Sequence, residues 1–100
     1  MSFSGGGYDE CARWLWNFLL SHAKRVDARA EVDVDAGDER EGKSYAARVR
    51  VGDRVSAEIE FDYADVAANR GRLAWCMATA DRVRALTREL AGEPSDASAR

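Results

Sequence analysis

The sequence has one proline, two cysteines, one histidine and only two lysines among its 100 residues. Each shortage excludes something. Two cysteines in a chain long enough to build a core do not make a disulfide framework; they read as buried, reduced thiols of a cytoplasmic protein. No apolar run approaches the roughly 20 residues that span a bilayer, and the longest, residues 14–20, is interrupted by Asn17. Residues 1–7 carry neither a basic segment nor an apolar one, so no secretory signal is expected there. Fifteen Lys+Arg against eighteen Asp+Glu leave a net charge of −3, without the basic excess of a generic polyanion binder. The preference for arginine over lysine, with abundant alanine, is that of GC-rich codon usage and suggests a bacterial source.

What is present suits one soluble globular domain, because 46% hydrophobic residues can supply a single core at this length. Residues 1–7, with three consecutive glycines, read as a flexible N-terminus, and residues 92–100 as a disordered C-terminal tail. Between them, 8–91 form a single α+β domain. Residues 8–27 read as a helix: Cys11, Trp14, Leu15, Phe18, Leu19, His22 and Val26 recur at helical spacing, with acids in the first turn and bases in the last. Residues 28–35, 44–51 and 55–61 alternate with period two and read as strands. Parity favours a three-residue loop, Gly52-Asp53-Arg54, because that loop pairs Tyr45 with Phe61 and Ala47 with Ile59 on one face. It also sets Arg48 opposite Glu58 on the other face. A last helix spans 63–91, with Asp62 as N-cap, Gly92 just beyond its end, and Val66, Leu73, Cys76, Met77, Ala80, Val83 and Leu90 as its buried stripe. At 1.5 Å per residue, those 29 residues would reach about 43 Å, longer than the sheet, so the helix either breaks near Gly71 or projects.

The expected fold is a two-layer α-β-β-β-α sandwich, a three-stranded antiparallel meander covered on one face by two helices. Such a sandwich leaves apolar residues over. Ala12, Trp16, Leu20 and Ala23 form a second stripe outside the first helix's main one, so that helix is apolar around most of its circumference. Exposed apolar surface of this kind marks interfaces, and the leading expectation is a homodimer or protein-interaction module working through Trp14, Trp16, Leu20 and Trp75.

Chemistry has weaker candidates. His22 has no histidine partner, and Cys11 lies eleven residues away on the same helix, about 16 Å at helical rise, too far to share a metal ion. Cys76, in LAWCMA, reads as a small core residue. Glu31, Asp33 and Asp35 are interleaved with arginines on the sheet's outer face. No catalytic set, metal site or cofactor is expected, and an enzyme has the least support.

The order α-β-β-β-α, with ARVRVGDRVSAEIEF as central hairpin, resembles the double-stranded-RNA-binding domain. The likeness covers residues 8–91 as topology and about fifteen residues as sequence. It implies nucleic-acid binding as the alternative function, for which Arg48, Arg50, Arg54, Arg70 and Arg72 are the candidates. That family carries a lysine-rich start to its second helix for phosphate contact. Here the same place reads DYADVA, acidic and without lysine.

Overall fold

Helix α1 spans Tyr8–Val26 and is followed by strand β1, Glu31–Asp35, in a computed structural model that describes residues 7–92. The expectations for the two ends fall outside the described residues, except at Gly7 and Gly92, which cap helices. Strand β1 is three residues shorter than its alternation suggested. Asp27 is the reason: its carboxylate accepts hydrogen bonds from the Arg29 N–H (2.9 Å) and guanidinium, and its carbonyl accepts from the Ala30 N–H. That tight turn takes Ala28 and Arg29 out of the ladder.

Strand β2, Ser44–Val51, is the centre of an antiparallel sheet. β1 pairs with it on one side, Val32 opposite Val49 and Val34 opposite Ala47. The other side is divided between β3 (Arg54–Val55) and β4 (Ile59–Asp62). Arg50 faces Val55 and Val51 faces Arg54, so the turn holds two residues, Gly52 and Asp53, rather than three. Gly52 takes the left-handed φ of 64° that such a turn requires.

The pairs that parity demanded are present all the same: Tyr45 opposite Phe61 and Ala47 opposite Ile59. A β-bulge reconciles the two. Ser56 and Ala57 together oppose Val49, and the extra residue shifts the register by one. The Ser56 N–H donates to the Val49 carbonyl at 2.9 Å, and the Ser56 hydroxyl accepts from the Val49 N–H at 3.0 Å, replacing a lost backbone acceptor. Val55, on the turn side of the bulge, points the wrong way for the core and is 50% exposed.

The inward face carries Val32, Tyr45, Ala47, Val49, Val51, Ile59 and Phe61, all buried. Cys11, Leu15, Leu19 and Ala23 of α1 cover it together with the last helical segment. That segment is two helices, α2 (Tyr63–Asn69) and α3 (Leu73–Ala91). The chain extends at Arg72 (φ −101°, ψ 122°), which lets α2 leave the end of β4 while α3 turns back along α1 and over β2. Gly71 alone costs about 1 kcal/mol in a helix; packing on two sides of the break supplies the rest. Gly92 ends α3 in the left-handed conformation, φ 77°, as its position suggested. Asp62 stands at the N-cap of α2 without a side-chain capping bond, and the Tyr63 N–H donates to the Lys43 carbonyl at 2.8 Å.

The break also corrects the buried stripe. Reading 63–91 as one helix placed Leu73 and Met77 in the core. α3 buries the expected Ala80 and Val83 and, with them, Thr79 and Thr87, polar residues that a hydrophobic count passes over. The Thr87 hydroxyl donates to the Val83 carbonyl at 2.7 Å, so it is satisfied inside the helix. Leu73 and Met77 face outward, 74% and 56% exposed.

The sheet's outer face is held by ion pairs across strands: Arg50 with Asp33 at 2.7 Å, Arg48 with Glu58 at 2.6 Å, and Arg40 with both Asp35 and Glu60. Ala46 lies on this face yet is buried, because its cross-strand neighbours Asp35 and Glu60 both hold the Arg40 guanidinium above it.

Ser56→Ala removes the acceptor of a buried backbone N–H. It is expected to lower the unfolding free energy by about 1–3 kcal/mol in urea titration; a change under about 0.5 kcal/mol, the ordinary surface range, would contradict the role given to the bulge.

Candidate interaction groove

α1 and α3 run in the same direction, so that Trp14 meets Trp75 near one end of their contact and His22 meets Arg84 near the other. Between them lies a groove of about 280 Å³. Phe18 and His22 form its α1 side; Leu73, Met77 and Ala80 form the apolar part of its α3 side, with Cys76 beside them. From Leu73 to Arg84 the groove extends about 16 Å at helical rise, close to three turns.

The polar end has a defined geometry. Arg84 Nη1 donates to His22 Nδ1 at 3.2 Å, and its Nη2 pairs with the Asp81 carboxylate. An arginine only donates, so Nδ1 carries the lone pair and the imidazole proton sits on Nε2. The ring stands edge-on to Phe18, with centroids 4.7 Å apart. Burial lowers the His22 pKa from its ordinary 6.5, and the nearby charges of Arg84 and Arg25 lower it further, against an opposing effect of Asp81. The imidazole is therefore neutral at pH 7.

The four residues expected at an interface are divided between two places. Trp14 and Trp75 are half-buried and close the seam between the helices, Trp14 stacking on Phe18 at 5.0 Å and Trp75 meeting Phe61 at 6.3 Å. Trp16 and Leu20 lie on the other flank of α1, beside β1. The Val49 N–H and C=O are both engaged with Ser56, so the opposed Val32 points its own toward the sheet's open edge. Trp16 Nε1 donates to that Val32 carbonyl at 2.8 Å. Leu20 packs half-buried against the core, and Trp16 keeps 39% of its surface exposed.

The arginines of the nucleic-acid alternative do not converge. Arg48 and Arg50 are paired on the outer sheet face. Arg54 donates to the Leu90 carbonyl at the end of α3, Arg70 pairs with Glu10 at 3.7 Å, and Arg72 is exposed before α3. Among the described residues no group of three or more His, Cys, Asp or Glu side chains could hold a metal ion, and no helix is long and apolar enough to cross a membrane. Cys11 and Cys76 are separate thiols; Cys76 donates to the Arg70 carbonyl at 3.4 Å.

Sequence reasoning placed Leu73 and Met77 in the core and gave Arg84 no role. The signal available was Asn69-Arg70-Gly71: a break there detaches the phase of residues 73–77 from that of Val66. Comparison with protein-family models, with curated proteins and with solved structures finds no match for this chain.

Because the folded pKa of His22 lies below its unfolded value, the unfolded chain binds more protons between the two. Stability rises with pH through that window and is lost as pH falls through it toward the folded pKa. An NMR titration of His22 is expected to give a midpoint below 6.5, moved upward by Arg84→Leu. A midpoint at or above 6.5 would contradict the arrangement.

Proposed function

We propose that the chain is a non-enzymatic protein-interaction module whose working surface is its helical layer, at the groove between α1 and α3. One observation carries the reading: Leu73 and Met77, the two most exposed large apolar side chains among the described residues, stand together on the rim of an apolar groove. Two neighbouring large apolar side chains on one helix turn are stable in water but favour removal from it. The groove offers no paired nucleophile and base; its histidine nitrogen is occupied by an arginine.

A homodimer is the second reading, and it belongs to the other flank of α1. Trp16 has its indole N–H satisfied and still leaves much of its ring in solvent, with Leu20 one turn further on. Two copies could join across that flank with the α1–α3 groove still open.

Two measurements test these readings separately. Leu73→Ser/Met77→Ser is expected to leave thermal stability within about 0.5 kcal/mol, as for surface positions, while abolishing the fluorescence enhancement of the apolar anionic dye anilinonaphthalene sulfonate, a reporter of accessible apolar surface. Large destabilisation, or unchanged dye binding, would contradict the groove reading. For the dimer, sedimentation velocity at tens of micromolar should give a dimer that Trp16→Ala dissociates; a monomeric wild type would end that reading.

A further inference from the structure

The charges around the groove differ in sign from the chain as a whole. Arg72 directly precedes Leu73 at one end, and Arg25 and Arg84 flank His22 at the other. Arg25 follows His22 by three residues on α1, which places it on the same flank of that helix. Asp81 is the acid at this end, and it is already engaged by Arg84. Arg70, near the Leu73 end, is paired with Glu10. Asp81 and Arg84 are the charged residues that line the groove; with Arg25 beside His22 and Arg72 next to Leu73 in the chain, arginine outnumbers acid around it, in a chain of net charge −3.

This pattern selects among occupants. A second copy inverted into the groove would set Arg84 and Arg25 of one chain against Arg72 of the other, with like charges together at both ends. An amphipathic helix with carboxylates at its ends meets no such repulsion. Its shape also fits, since two helices running side by side for about three turns leave a furrow in which a third helix can lay apolar residues at i, i+4 and i+7.

Resting on the proposed function, we infer that the groove takes an acidic amphipathic helix of another protein, with apolar side chains between Phe18, Leu73 and Met77 and carboxylates toward Arg84 and Arg72. Arg84 suits the anchoring role. It is held in place by His22 and Asp81, and a guanidinium has five N–H donors, more than these two bonds use. Asp81 is largely exposed and can turn to solvent when a partner carboxylate arrives.

The test uses a labelled peptide of about four helical turns, with leucines along one face and glutamates at both ends, and a twin with lysines in place of the glutamates. Fluorescence anisotropy with the full chain is expected to show the glutamate peptide binding about tenfold or more tightly than its twin, and more weakly as salt is raised. Arg84→Glu should reverse the preference, and Leu73→Ser/Met77→Ser should abolish binding of both peptides, with circular dichroism checking that each variant is folded. Equal binding of the two peptides, lost in the serine variant, would overturn the acidic partner while the groove reading stands. If neither peptide binds, or if binding is indifferent to the serine substitutions, both are overturned. Self-association of the free chain that the serine variant abolishes would also overturn this inference, since it would put a second copy in the groove.

Discussion

Side chains alternate across a strand, and β2 is paired on both sides, so the parity of β2 fixes the inward face of the whole sheet. Tyr45, Ala47, Val49 and Val51 point to the helices only if both neighbours keep the matching phase. A two-residue turn between β2 and β3 breaks that phase, and the bulge at Ser56 restores it before Ile59 and Phe61 reach the core. One hydroxyl therefore connects local turn chemistry with global packing. A slip of one residue here would place Glu58 and Glu60 against Leu15 and Leu19.

With that face fixed, the helical layer follows from covering it. α1 lies over β1 and α3 over β2, and the aromatic seam of Trp14, Phe18 and Trp75 joins the two helices. At the start of α1 a second cluster ties the layers together: the Tyr45 hydroxyl donates to the Tyr8 carbonyl at 2.7 Å, and the Tyr8 ring stacks on Tyr45 at 4.7 Å. Burial raises the Tyr45 pKa well above its ordinary value, so this phenol remains a donor across the physiological range. The extended residue at Arg72 lets α3 follow α1, and the same break turns Leu73 and Met77 away from the core. The groove is thus a by-product of how the last helical segment is divided.

Much of this was legible in the sequence where periodicity is strong. The buried Cys11, Leu15 and Leu19 of α1, the inward residues of β2, the Arg48–Glu58 pair and the terminating Gly92 all follow from spacing and elementary conformational preference, whereas the buried Ala23 belonged to the second stripe. The turn was misread because parity fixes the sum of loop and bulge residues and not their division; Gly52-Asp53 favours the short turn, and Ser56 supplies the bond that makes a bulge tolerable. The phase of α3 was misread because Thr79 and Thr87 take buried positions, Thr87 with its hydroxyl donated to the Val83 carbonyl. No hydrophobic count includes them. The interaction surface was sought at the tryptophans, since large aromatics dominate such contacts. Trp14 and Trp75 stand half-buried in the seam, and Trp16 donates to an edge carbonyl while part of its ring stays in solvent. Beside them Leu73 and Met77, one turn apart on α3, are more exposed still.

The account stands on Leu73 and Met77 being open to solvent in the folded chain. Hydroxyl-radical footprinting with residue-level mass spectrometry measures this directly. The native protein at low concentration should be modified at Met77 and Leu73 nearly as fast as the urea-unfolded chain, while Leu15, Leu19 and Tyr45 are strongly protected. Protection of Met77 and Leu73 equal to that of Leu15 would place them in the core and contradict the account.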